Sequence, residues 1–179
     1  MRRYILTGAP GAGKTSIIRG LAALGRSVVE EAATDVIAQA QARGVDEPWT
    51  QPSFIDDIVA LQKRRQLEAS GMLQFYDRSP VCTYALSLYL GLPISASLGA
   101  EIERLDHDGV YERRVLFVEN LGFCEPTAAR RISFEESLAF EALHVETYRD
   151  LGYELVVIER AGLTDRIRAV LRHAEAGGD

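Results

Sequence analysis

The chain has 179 residues, 47% of them hydrophobic and 26% charged, with a formal net charge of −6. That is enough for one domain with a full core and too short for two, and nothing in it is repetitive or of low complexity. The acidic balance disfavours a general electrostatic grip on nucleic acid or on an anionic membrane. No stretch approaches the roughly 20 apolar residues that span a bilayer. The run after Arg2 and Arg3 is no secretory signal, and Cys82 and Cys124 form neither a CxxC pair nor a disulfide framework. A cytoplasmic setting without membrane insertion is therefore expected.

In chain order, Arg3 to Thr7 reads as a short strand and Lys14 to Leu24 as a helix with apolar Ile17, Ile18, Leu21 and Leu24 on one face. Arg26 to Glu31 is a second strand, followed by a helix that stops at Gly44. The prolines of "VDEPWTQP" mark a loop, after which Ser53 is placed to cap a long helix. "MLQFYDRSP" contains a third strand. Two helices follow, the second stopped by Gly109, so that "DHDG" reads as a helix end and not as a switch motif. Arg113 to Asn120 is a fourth strand. A polar loop precedes Ser133 and Glu136, spaced as a capping box for the next helix. "YELVVIE" is the fifth strand, and Thr164 is expected to open a final amphipathic helix. Disorder is confined to the tail "AEAGGD", with a single domain over 1–175. Strands alternating with helices predict a parallel sheet covered on both faces, and the runs "LFV" and "LVVI" read as strands buried on both sides.

The strongest signal is "GAPGAGKTS". Gly8, Gly13, Lys14 and Thr15 complete G-x-x-x-x-G-K-[ST] between a strand and a helix. Glycines let the backbone turn its N–H groups inward, and the helix N-terminus adds positive potential at the same point. Gly8, Ala9, Pro10, Gly11, Ala12, Gly13, Lys14, Thr15 and Ser16 are thus the expected phosphate cradle. The Lys14 ammonium is expected on the β and γ phosphates and the Thr15 hydroxyl on Mg²⁺. Lys14 and Lys63 are the only lysines, and neither sits in the N/T-K-x-D element that reads guanine.

Asp77 ends the third strand, where the open edge of a parallel sheet faces the loop. It is the favoured second ligand for Mg²⁺, with Glu119 at the end of the fourth strand as a rival. Arg78 is suited to a phosphoryl or substrate group. Glu30 and Glu31 end the second strand, and either is placed to take the proton of a hydroxyl acceptor. Arg130 and Arg131 lie in a lid expected around 121–132, where closure would neutralise charge on the transferred group. Trp49, Phe54, Phe75, Tyr76 and Tyr84 are candidates to stack on a flat acceptor. His107, His144 and His173 read as ordinary surface or half-buried histidines.

With "GAPGAGKTS", "VVEEAATDVI", "FYDRSP" and "ISFEESLAFEALHVETYRDLGYELVVIE", the chain resembles the P-loop kinases of nucleosides and nucleotides, and within them the AAA_28-type domain that includes the ribosylnicotinamide kinase domain. The resemblance implies a five-stranded parallel sheet of order 2-3-1-4-5 in a three-layer α/β/α fold. It implies ATP and Mg²⁺ as cofactors, an acid of "DRS" serving the metal and its arginine the substrate, and a glutamate after the second strand as base. Two readings follow: an ATP-dependent phosphotransferase acting on a small hydroxyl-bearing, nucleoside-like metabolite, or a nucleotide-gated module with slow hydrolysis and no acceptor.

Overall fold

The computed structural model describes residues 1–122 and 133–176. Five strands, β1 (Arg2–Thr7), β2 (Ser27–Val29), β3 (Leu73–Asp77), β4 (Arg114–Val118) and β5 (Glu154–Ile158), form one parallel sheet in the order β2-β3-β1-β4-β5. The helices are α1 (Lys14–Ala23), α2 (Ala33–Ala42), α3 (Phe54–Glu68), α4 (Pro80–Tyr89), α5 (Ala96–His107), α6 (Phe134–Asp150) and α7 (Leu163–Ala176), with a 3-10 turn at Pro48–Thr50.

Side chains alternate across a strand, and the sequence uses this to build a core on each face. Tyr4, Leu6, Phe75, Leu116 and Val118 pack beneath α1 and α7 with Ile17, Leu21 and Val170. Ile5, Tyr76 and Val115 face the other way and meet Val81 of α4, Leu105 of α5 and Tyr148 of α6. A third cluster, around Ile37, Phe54, Ile58 and Leu98, seats α2 and α3 beside the sheet. The architecture is α/β/α, as the strand and helix alternation predicts.

Parallel strands put all their C-terminal ends on one edge. Leu6 pairs in register with Asp77, and Val29 with Tyr76, so the residues that follow β1, β2 and β3 gather at one crevice. β2 is shorter than expected, and Glu30 and Glu31 lie just past its end.

Four local expectations need correction. Ser53 precedes α3 but does not cap it: its hydroxyl donates to the Asp57 carboxylate at 3.0 Å while its own backbone is already helical. Thr164 does not open α7, because the Arg166 N–H reaches the Gly162 carbonyl at 3.1 Å and the helix starts at Leu163. The apolar run "LVVI" is not buried on both sides, since β5 is an edge strand and Val157 is 51% exposed. Part of the expected tail is helical: Ala174 is fully buried and α7 runs to Ala176. The capping box is present as expected, with Ser133 accepting from the Glu136 N–H at 3.1 Å and Glu136 accepting from the Ser133 N–H at 2.7 Å. The helix stop at "DHDG" is also seen, the Gly109 N–H reaching the Asp106 carbonyl at 3.2 Å.

Candidate phosphate site and adjoining crevice

β1 delivers the chain to Gly8, whose φ of 134° and crowding both require glycine. A Cβ there would stand 2.3 Å from the Val118 carbonyl oxygen at the end of β4. The loop then turns into α1, of which Lys14 is the first residue. Lys14 is 6% exposed, and its ammonium donates to the carbonyls of Gly8 at 2.9 Å and Ala9 at 2.8 Å. Burial, with the Arg78 charge adding to it, lowers its pKa to about 7. The Ala9 N–H is held by Glu141 Oε2 of α6 at 3.1 Å, and Glu141 Oε1 accepts from the Asn120 side-chain amide at 3.3 Å.

Asp77 stands against the same loop. Its Oδ2 accepts from the Thr15 hydroxyl at 3.0 Å, while its buried Oδ1 has no partner among the described residues. Burial pushes the carboxyl above its ordinary range, with Lys14 pulling the other way. A buried carboxylate oxygen without a partner beside a hydroxyl is an all-oxygen donor set of the kind that suits Mg²⁺. These two side chains fit that ion, and the group would neutralise charge on bound phosphates. Glu119 is engaged elsewhere: its Oε2 accepts from the Arg160 N–H at 2.8 Å.

Arg78 has a φ of 71°, unusual for a residue with a side chain and a form of strain that clusters at working sites. Its Nε donates to Glu31 Oε1 at 2.7 Å, and its Nη1 lies 3.2 Å from His144 Nε2. A guanidinium only donates, so Nε2 accepts; the ring proton sits on Nδ1 and bonds the Phe140 carbonyl at 2.8 Å. Burial opposes charge on Glu31, but Arg78 and Lys14 outweigh it and hold the carboxyl below its usual value.

The loop opens into a crevice of about 1000 Å³ shared with Glu30, Glu31, Asp77, Arg78 and Cys82. Trp49 and Phe54 line it, as expected from sequence. Phe75, Tyr76 and Tyr84 do not. Phe75 and Tyr76 are sealed in the two cores, and Tyr84 packs with the α2 and α3 cluster. Tyr89 and Phe140 take their place, in contact with ring centroids 4.8 Å apart. His144 is fully buried rather than a surface or half-buried histidine. Glu141, His144 and Phe140 were missed by the sequence reading because only the packing of α6 on the sheet brings them here. Arg130, Arg131 and most of the expected lid lie outside the described residues.

The sequence matches the AAA_28 family, described as an AAA domain, over residues 3–166. The chain belongs to that family. No curated protein matches this AAA_28 chain significantly. Among solved structures it is similar to the NadR protein in complex with NR, with a TM-score of 0.69, 16% identity and 97% of this chain covered. It spans about half of NadR, 51% of that chain. The deoxyadenosine kinase from M. mycoides with dCMP and a flexible dCDP gives a TM-score of 0.63 at 13% identity, covering 97% of this chain and 98% of that one. Shikimate kinase from Acinetobacter baumannii in complex with shikimate gives 0.59 at 15%, covering 99% and 95%. NadR is also seen with NAD and AMP-PNP. These likenesses show the fold of small-molecule kinases. No described helix is long and apolar enough to cross a membrane.

Proposed function

We propose that this AAA_28 chain is a Mg²⁺-dependent ATP phosphotransferase acting on a small hydroxyl-bearing, nucleoside-like metabolite. The observation that carries the reading is that one crevice joins the phosphate loop to an aromatic compartment, with Glu31 and Arg78 at the junction. Such a compartment beside the phosphates suits a bound acceptor. The kinase fold of the structural neighbours supports the same reading.

Lys14 holds the β and γ phosphates, and Thr15 and Asp77 hold Mg²⁺. The acceptor lies between Trp49, Phe54 and Phe140, with the side-chain NH₂ of Gln62 available to its polar edge, because the Gln62 carbonyl already accepts from Thr83 at 2.9 Å. Its hydroxyl oxygen bonds the γ phosphorus as the bond to the ADP oxygen breaks, and its proton passes to Glu31. Arg78 steadies Glu31 and the transferred group.

The test is to incubate the protein with Mg-ATP and pooled nucleosides and small metabolites, and to look by mass spectrometry for a compound that gains one phosphoryl group. The expected result is one such product, lost in Asp77→Asn and reduced at least about 100-fold in Glu31→Gln. A product formed equally well by Asp77→Asn would sink the assignment of the metal site.

A further inference from the structure

Behind the phosphate loop sits a buried cation held by backbone carbonyls. Arg166, in the first turn of α7, is 3% exposed, and no carboxylate pairs with it among the described residues. Its Nη2 donates to the carbonyl of Ala12 and, at 3.3 Å, to that of Glu119, while its buried Nε has no partner among the described residues. Burial weakens its hold on the proton, and the charge of the nearby Glu119 carboxylate opposes that only in part. A buried charge without a direct ion pair is costly to the fold, so its place at this loop asks for a reason.

Peptide geometry supplies one. In a trans peptide the C=O and the following N–H point to opposite sides. Arg166 takes the Ala12 oxygen, which leaves the Gly13 N–H pointing away from the guanidinium. That N–H has no acceptor among the described residues. Gly13 is shaped to the same contact: it has a φ of 83°, and a Cβ on it would come within 2.9 Å of Arg166 Nη1. The guanidinium also polarises the peptide it grips, making the N–H a stronger donor.

We infer that Arg166 is a positioning residue for nucleotide binding: it fixes the Ala12–Gly13 peptide with its N–H toward the phosphates and places a positive charge behind them. This rests on reading the loop as a phosphate site. The Glu119 contact also ties the grip to the end of β4.

The contact is made to bound nucleotide before and during transfer, so its loss raises KM and leaves kcat nearly unchanged. The experiment is calorimetric titration of the full chain with MgADP, comparing wild type, Arg166→Met and Arg166→Lys. Met keeps the stem and removes the charge; affinity is expected to fall about 10- to 100-fold. Lys keeps the charge and one carbonyl, and a smaller fall of about 3- to 10-fold is expected. Where Met fails to fold, Lys decides alone. Binding by both variants within about twofold of wild type overturns the inference and leaves the phosphate site standing. Failure of the wild type to bind MgADP is a different result: it overturns the phosphate-site reading, and this inference with it.

Discussion

Lys14 carries the sharpest conflict between charge and burial at the site. Burial lowers its pKa to about 7 and leaves its ammonium bonded only to loop carbonyls. A phosphate chain arriving beside it favours the protonated form, so nucleotide binding takes up a proton whenever the pH lies above that value. By linkage, ATP affinity falls as pH rises above about 7, by up to about tenfold per unit, until the pKa of the complex is passed. Titration calorimetry between pH 7.5 and 9 checks this; Lys14→Met should bind more weakly, and the slope with pH should flatten. That Lys14, Thr15, Asp77 and Arg78 meet at one crevice was legible from sequence, because each stands in a contiguous motif at the end of a strand or the start of a helix. Glu141, His144 and Arg166 were not, because their roles depend on which turn of a distant helix meets the loop.

At the scale of elements, the turn from β3 into α4 is where local sequence and site geometry meet. Ser79 caps α4 by accepting from the Val81 N–H at 3.3 Å, and its hydroxyl lies 2.9 Å from the Tyr148 hydroxyl of α6. Pro80 follows at the first helical position, where its missing N–H costs nothing. Ser79→Ala removes the cap and one partner of a buried phenol, and should destabilise the fold by about 1–2 kcal/mol in urea unfolding. Because α4 starts beside Arg78, a fall in activity beyond that in folded fraction would show that the cap also positions the arginine. Boundaries marked by local chemistry, such as Ser133 with Glu136 or Gly109, were readable. Ser53 and "LVVI" were not. The first found a carboxylate one turn on, and the second sits at an edge that only the sheet order creates.

For the whole molecule, the order β2-β3-β1-β4-β5 explains why these groups share one crevice. Placing β1 between β3 and β4 sets the phosphate loop beside Asp77 and Arg78, while β2 on the far side of β3 brings Glu31 over to Arg78. Helices α3, α4 and α6 then wall the compartment next to the loop with Gln62, Tyr89 and Phe140. The alternation of strands and helices revealed the layers, and the family resemblance supplied the strand order. The most direct measurement is the steady rate of ADP release from Mg-ATP by the wild-type chain, with and without the pool of nucleosides. Acceptor-dependent acceleration, abolished in Lys14→Met, is the predicted result. A slow rate that no pool accelerates would contradict the transferase account and favour the nucleotide-gated module.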